Sequence, residues 1–335
     1  DVVPLDQVNR ALVHQGLLRI RSGHSRPGIQ ELLRIAGKNP ARLVATDLGF
    51  ALGPRLNAAG RLDDISLGIQ CLLCDDPQQA LHTAQELDEL NQDRKSIETG
   101  MQQQALAIVE QLGLDDKSMP AALCLFQPDW HQGVVGLLAS RIKEKYHRPV
   151  VAFARGDNGE LKGSSRSIPG LHIRDALDAV ATQNPGLITK FGGHAMAAGL
   201  SLTEDKLAEF EQAFQQQVAE LISEDDLQAR LVTDGSLDAH QLSMHTAELL
   251  RDAGPWGQQF PEPCFQGDFH IVQQRIVGEK HLKLVLAPQN QPEIAIDAIW
   301  FNIDTARWPN PEAQTVHCVY RLDINEFRGV ESLQL

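Results

Sequence analysis

Between Pro77 and about Leu112, apolar residues recur every three or four positions. They are Leu81, Ala84, Leu87, Leu90, Ile97, Met101, Ala105 and Ile108, with Glu, Gln, Asp and Arg between them. That period predicts one continuous helix. Some 35 residues of helix reach ~50 Å, and a helix that long is expected to bridge two domains. Before it, apolar spacing predicts helices over Asn9–Ile20 and Gly28–Ala36. A third helix begins at Thr46-Asp47 and is broken by Gly53-Pro54. Arg55-Leu56-Asn57-Ala58-Ala59-Gly60-Arg61 then reads as an exposed small-residue loop.

Beyond residue 118 the period alternates. Compact apolar runs at Ala121–Phe126 and Val150–Ala154 predict strands, with a helix over Val134–Tyr146 between them. Asp157-Asn158-Gly159 is a hairpin turn signal. Glu160–Arg166 is a third strand leading into a loop. Ile173–Val180 is helical, Gly192-Gly193-His194 is a loop, Gly199–Leu202 is a strand and Lys206–Leu221 a helix. From 228 onward Val232–Leu237 is strand-like and His240–Ala253 helical. Short strand signals follow at Cys264–Val277, His281–Leu286, Ile294–Phe301, Val316–Leu322 and Val330–Leu335. The fold class is therefore α/β plus β, ending in a small barrel or sandwich. The last strand signal meets the chain terminus, so the expected barrel is clipped. The chain opens at Asp1, as if at the end of a strand, and is expected to be a fragment of a longer protein.

Composition is that of an ordinary soluble chain, 42% hydrophobic and 22% charged. No run reaches the length of a membrane-spanning helix, and no signal peptide is recognisable. Cys71 and Cys74 have C-x-x-C spacing within a helical apolar pattern, which favours buried thiols over a redox or zinc pair. That suits a reducing cytoplasm. The net charge of −14 argues against nucleic acid if taken whole. Charge is segregated, however. Residues 1–62 carry nine Lys or Arg against four acids, and residues 131–199 nine against five. Residues 63–130 and 200–262 each carry three against thirteen. The acidic blocks are solubilising helix faces, or they confine a strand to basic clefts.

The two basic blocks hold the candidate chemistry. Phe191-Gly192-Gly193-His194, followed by small residues to Gly199, permits close backbone approach. His131-Gln132-Gly133-Val134-Val135-Gly136 and Lys162-Gly163-Ser164-Ser165-Arg166-Ser167 are cassettes of the same kind. Glycine, hydroxyls, Arg and His in three neighbouring loops are the ingredients of a phosphate cleft. Arg55 and Arg61 flank Asn57; an Arg fork suits phosphate, while salt bridges to Asp47, Asp63 or Asp64 are the alternative. His131 orients a nucleotide or caps a helix, and Arg141 lies one or two turns further on. His194 donates to a phosphate or serves as a cap.

Five of these segments in this order resemble one family. They are Asp1-Val2-Val3-Pro4-Leu5, Gly53 to Leu62, Trp130 to Gly136 with Ala139-Ser140-Arg141, Gly163 to Ser167, and Gly192-Gly193-His194. Gly254-Pro255-Trp256-Gly257 and Phe260 to Pro263 add to them. Together they resemble the C-terminal part of the bacterial RecJ family, 5′→3′ single-strand-specific DNA exonucleases of the DHH phosphoesterase superfamily. The resemblance implies a remnant of the DHH domain over 1–75 and a connecting helix over 76–117. It also implies a DHH-associated α/β domain over 118–225 and an OB-fold with its flanking helix over 226–335. It implies Mn²⁺ or Mg²⁺ in the full-length enzyme, with Asp1 matching the family's last metal-ligand aspartate. The other metal motifs belong upstream, so this fragment is expected to retain no metal and no activity.

The site residues that the resemblance implies are Arg55, Asn57, Arg61, His131, Gly133, Arg141, Ser164, Ser165, Arg166, Ser167, Gly192 and Gly193 for substrate, with His194 at the reacting phosphate. The Ser164–Ser167 cassette would receive a terminal 5′-phosphate; the family has glycine where Ser165 stands. Trp256, Phe260, Phe269, Lys280, His281, Lys283, Trp300, Phe301, Trp308 and Arg328 are candidate single-strand contacts on the OB region. Single-stranded DNA is the expected partner, with single-strand-binding protein as a second and no membrane. The alternatives are an oligonucleotide or cyclic-dinucleotide phosphodiesterase, and a non-catalytic interaction module.

Overall fold

A computed structural model describes residues 3–111, 119–156 and 159–335. Asp1 and the first two residues of the expected Asp157-Asn158-Gly159 turn lie outside the described residues. The chain runs through α1 (Gln7–Arg21), α2 (Pro27–Ile35), α3 (Ala45–Asp47), a wider π-type turn over 48–52, α4 (Gly53–Leu62), α5 (Ser66–Leu73) and α6 (Pro77–Gln111). It continues through β1 (Leu123–Phe126), α7 (Val135–Tyr146), β2 (Val150–Arg155), β3 (Glu160–Arg166), α8 (Ile173–Gln183), β4 (Lys190–Gly193), β5 (Ala197–Thr203) and α9 (Leu207–Leu221). The last part holds α10 (Met244–Ala253) and β6 (Phe265–Val277), β7 (His281–Pro288), β8 (Ile296–Trp300), β9 (Thr315–Tyr320), β10 (Asp323–Phe327) and β11 (Val330–Gln334).

Two compact units form, and neither is one continuous run of chain. One comprises residues 1–25, 36–52 and 231–335; the other comprises 26–35 and 53–230. The sequential division into 1–75, 76–117, 118–225 and 226–335 does not follow this interleaving. The reason is packing: α2 buries Leu32 and Leu33 and lies against α5 and α6, which draws it away from its sequence neighbours. The long helix α6 likewise lies wholly inside one unit and bridges none.

In the unit containing 53–230, a five-stranded sheet has the order β1-β2-β3-β5-β4. β1 and β2 are parallel, joined through α7, and the other pairs are antiparallel. Side chains alternate across a strand, so β1 and β2 feed two cores, while β3 and β5 feed one. Val151, Phe153, Leu161, Ala198, Leu200 and Leu202 face α8 and α9, where Phe210 stacks on Phe214. Leu123, Leu125, Val150, Ala152 and Ala154 face α7 and the end of α6, with Met101, Ala105 and Val109. Phe153, Leu138 and Ile142 are fully buried. At ~25 cal/mol per Å² of apolar surface, these two cores are the main term holding the sheet between its helices.

Three local expectations are corrected. Arg55–Arg61 is helical, because Pro54 sits in the first turn of α4, where its missing N–H costs nothing. Ala58 and Ala59 then bury the helix face. Ser164–Arg166, grouped with the loop cassettes, ends the central strand β3, in line with the strand expected over Glu160–Arg166. Gly192-Gly193 ends β4 and pairs with Gly199 and Ala198, so only His194 to Met196 turn the hairpin.

In the other unit a six-stranded sheet has the order β10-β11-β8-β7-β6-β9. Its core holds Phe265, Phe269, Leu282, Leu284, Leu286, Ile296, Ala298 and Tyr320. β10 is a strand that the sequence pattern does not show, since Asp323, Asn325 and Glu326 dilute it. Val232–Leu237 is extended but joins no ladder; Asp234 N–H donates to the Cys264 carbonyl at 2.7 Å and Gln266 N–H to that of Gly235 at 2.9 Å. Arg42 is salt-bridged to both Glu326 and Glu331, tying the N-terminal segment to the β10–β11 hairpin.

Candidate nucleic-acid site

The face of the sheet under α7 is where the sequence cassettes meet. On β3, Ser164 and Arg166 point to this face, while Gly163 and Ser165 point to the α8/α9 core. Cross-strand partners share a face. Arg166 is therefore beside Ala197, and Ser164 lies in one row with Gly199 and Gly192. Helices α6 and α7 cover the β1–β3 part of this face. Gly199 and Gly192, further out, are exposed. Nothing lies within 4 Å of where a Gly192 side chain would begin, and the structure itself sets no packing need for glycine there.

Arg166 is pinned at the covered edge. Its Nε donates to Ser140 Oγ at 3.1 Å, and its Nη1 to Ser164 Oγ at 3.2 Å and to the Ser165 carbonyl at 2.8 Å. Gly136 makes room for it, since a Cβ there would lie 2.9 Å from Ser164 Oγ and 3.0 Å from Arg166 Nη2. Arg61, from α4, donates to the Gly133 carbonyl at 3.1 Å. Gly133 is obligatory because a Cβ would come within 2.1 Å of the Arg61 carbonyl oxygen. His131 Nδ1 accepts the Gly133 N–H at 3.1 Å, so this ring holds the loop's shape.

Burial lowers the Arg166 pKa, and the positive charge of Arg61 lowers it further. Burial also lowers that of Arg61, followed by repulsion from Arg94, with Glu98 opposing both. Among the described residues neither Arg61 nor Arg166 forms an ion pair with a carboxylate. Two half-buried, mutually repelling guanidiniums are a site in deficit of negative charge. An oxyanion placed between them would relieve the repulsion and accept charge-assisted hydrogen bonds.

The remaining candidates divide. Asn57 is exposed one helical turn before Arg61, on the same face of α4. His194 is exposed at the hairpin tip, its N–H donating to the Ala197 carbonyl at 2.8 Å. Gly193 turns with φ 151° against Ala198, which explains it by the fold. Four expectations are corrected. Ser165 is fully buried and donates to the Ala198 carbonyl at 2.8 Å. Ser167 is buried and donates to the Leu171 carbonyl at 2.8 Å. Both hydroxyls are thus turned away from the cleft by strand alternation and backbone bonding. Arg55 is committed to Asp88 at 2.8 Å. Arg141 is committed to Glu98 at 3.0 Å and Glu144 at 3.4 Å. Burial opposes the Arg141 charge, but these two carboxylates outweigh it and raise its pKa.

Gly136, Ser140, Arg94, Glu98 and Gly199 belong to the site's surroundings; the first two and Gly199 fall inside the candidate segments without a role of their own, and Arg94 and Glu98 fall outside them. A glycine and a hydroxyl four apart on a helix mark a close approach to the sheet, which is the signal that Gly136 and Ser140 carried.

On the OB-type sheet, Phe269 is core, and Trp256 and Phe260 stack on each other with Arg10 over the Phe260 ring. Lys283 pairs with Asp297 at 2.8 Å, and the His281 ring packs edge-on against Phe301. Trp300 and Phe301 remain half-exposed or more, joined by Phe327 at the β10–β11 tip, where the Arg328 guanidinium lies 5.2 Å from the Phe327 ring. Trp308 packs edge-on against Trp300. Among the described residues no three His, Cys, Asp or Glu side chains gather to hold a metal ion, so these residues do not fit a two-metal centre. No described helix is long and apolar enough to cross a membrane.

Sheet order, cleft and partner domain define a class: an α/β domain of the DHHA1 type in one chain with an OB domain. The DHHA1 domain model matches residues 117–220 and the RecJ OB domain model matches 233–335. The chain belongs to the RecJ family. It is 56% identical over all 335 residues to the single-stranded-DNA-specific exonucleases RecJ of Dickeya dadantii and of Escherichia coli. It spans 58% of the length of each. The crystal structure of Thermus thermophilus RecJ with Mn²⁺ matches the whole chain at TM-score 0.80 and 28% identity, over 47% of that structure.

Proposed function

We propose that this chain supplies the strand-holding part of a metal-dependent 5′→3′ exonuclease acting on single-stranded DNA in repair and recombination. The carrying observation is the Arg61–Arg166 pair, half-buried and, among the described residues, in no salt bridge to a carboxylate, opening onto the exposed Gly192–Gly199 surface. Arg166, Ser164 and Arg61 grip the 5′-terminal phosphate. The glycines let the following sugar-phosphate backbone approach the sheet. His194, at the hairpin tip, donates to an oxygen of the scissile phosphate. Asn57 contacts the backbone beside Arg61. In the other unit, Trp300, Phe301 and Phe327 offer stacking faces to bases of a single strand.

In the whole protein Mn²⁺ or Mg²⁺ would supply an activated water, and the described residues hold no cluster to bind it. The chain on its own binds DNA and cleaves nothing. It works in the cytoplasm, with single-strand-binding protein as a second partner of the OB region. The family match over both domain models supports this reading. The size of the OB region disfavours a dinucleotide substrate.

The test uses the purified chain with 5′-phosphorylated and 5′-hydroxyl oligonucleotides of one sequence, followed by fluorescence anisotropy. Tighter binding of the phosphorylated strand is expected, with no degradation in Mn²⁺. Equal affinity for both ends would remove the end-gripping role, and metal-dependent degradation would remove the division of labour.

A further inference from the structure

The buried stripe of α6 changes chemistry at its centre. Ala80, Ala84 and Leu87 precede it and Met101, Ala105 and Val109 follow, but the middle positions are Asn91, Arg94 and Glu98. All three are buried. Arg94 Nη2 donates to Asn91 Oδ1 at 2.8 Å, and Arg94 Nη1 donates to Glu98 Oε2. The other Glu98 oxygen accepts from Arg141 Nε of α7 at 3.0 Å. Glu98 also attracts Arg61 of α4, which Arg94 repels.

A buried ion pair is seldom a gain in stability over apolar packing. Its place here is informative. α4 carries Arg61, and α7 carries the Gly136 gap and the Ser140 hydroxyl that seat Arg166. Glu98 is the one group on α6 that engages a cation from each of these helices.

We propose that Glu98 is a positioning residue that fixes the separation of Arg61 and Arg166, and that Arg141 serves the same tie and touches no substrate. This rests on the reading of the Arg61–Arg166 pair as a phosphate grip. Removing the carboxylate releases α7 from α6 and leaves Arg94, Arg61 and Arg141 to repel one another, so the two gripping guanidiniums lose their spacing.

The experiment compares wild type, Glu98→Gln, Arg141→Met and Arg166→Ala in the full chain. Affinity for 5′-phosphorylated and 5′-hydroxyl oligonucleotides is measured by anisotropy at several salt concentrations, and melting temperature by circular dichroism. Arg141→Met keeps the buried Arg94–Glu98 pair and so stays folded if Glu98→Gln does not. Expected is a fall in end discrimination of about tenfold in Glu98→Gln and a smaller fall in Arg141→Met. For Arg141→Met the salt slope for the hydroxyl strand should stay unchanged; a direct phosphate contact would instead reduce it by ~0.7. The proposal is overturned if melting temperature drops while discrimination holds, or if Arg141→Met lowers the slope. Wild type without discrimination would instead refute the phosphate grip itself.

Discussion

Gly136→Ala separates the stability of the DHHA1-type domain from its anion site. Gly136 lies in the first turn of α7, where alanine improves helix propensity by up to ~1 kcal/mol. The new methyl group would sit 2.9 Å from Ser164 Oγ, closer than a Cβ tolerates, and 3.0 Å from Arg166 Nη2, a tight contact that the guanidinium must relieve. Both contacts are side-chain ends, so the backbone can stay and the guanidinium must give. Arg166 then tilts away from α7, which distorts its bonds to Ser140, Ser164 and the Ser165 carbonyl and its aim at the anion. Losing one charged hydrogen-bonding partner of a phosphate costs about 1.5–3 kcal/mol, which is roughly a 10- to 150-fold loss of affinity. Anisotropy with a 5′-phosphorylated oligonucleotide reads the loss, and thermal melting reads stability. The expected outcome is a melting temperature within a few degrees of wild type and an affinity down at least tenfold. Unchanged affinity at unchanged stability would show that the seating of Arg166 has no bearing on the anion.

Arg166→Ala should weaken binding of 5′-phosphorylated ends by about 1.5–3 kcal/mol and leave 5′-hydroxyl ends nearly unaffected; equal losses on both, by competition binding, would count against the end-gripping role. Ser165→Ala should cost about 1–2 kcal/mol of stability in urea denaturation by leaving the Ala198 carbonyl without its hydroxyl donor, with DNA affinity unaltered; a binding defect would reinstate Ser165 as a contact. Glu262 has its carboxyl pKa raised by burial, only partly opposed by Arg321. A raised carboxylate contributes stability below its unfolded pKa and loses it as pH rises through the folded value. Glu262→Gln should therefore be neutral or stabilising at pH 7, with the difference fading below about pH 4, in melting curves taken across that range.

Much of the fold could be read from periodicity, because the elements with long apolar patterns are those whose cores decide the structure. α6, α7, β2, β3 and α9 fall within a residue or two of their expected bounds. What escaped was decided by tertiary context. Arg55–Arg61 has the small residues of a loop, but Ala58 and Ala59 are small because α4 packs closely. Leu90 and Ile97 match the period of α6 by residue type, yet Asn91, Arg94 and Glu98 are the residues it buries in mid-helix, where Arg94 bonds the other two within the helix and Glu98 takes Arg141 of α7 as well. At the site, the right cassettes were visible but not their orientation. Ser164 and Ser165 are equal candidates as letters, and only the pairing of β3 with β2 and β5 sends one to the cleft and the other to the core. The commitment of Arg55 to Asp88 and of Arg141 to Glu98 could not be anticipated from spacing, because each partner lies more than thirty positions away.

β3 turns its odd positions, Leu161, Gly163 and Ser165, to the core and carries ligand chemistry on even ones. A slip of β3 by one residue against β2 and β5 would invert it. Arg166 would then be driven among Phe153, Phe210 and Leu200, and Leu161 would face solvent. Misalignment of this strand therefore cannot yield a folded protein that has merely lost its ligand, nor one that binds on a damaged core. Register shifts of β3 are all-or-nothing, whereas substitutions at Ser164 or Arg166 remain open to gradual tuning.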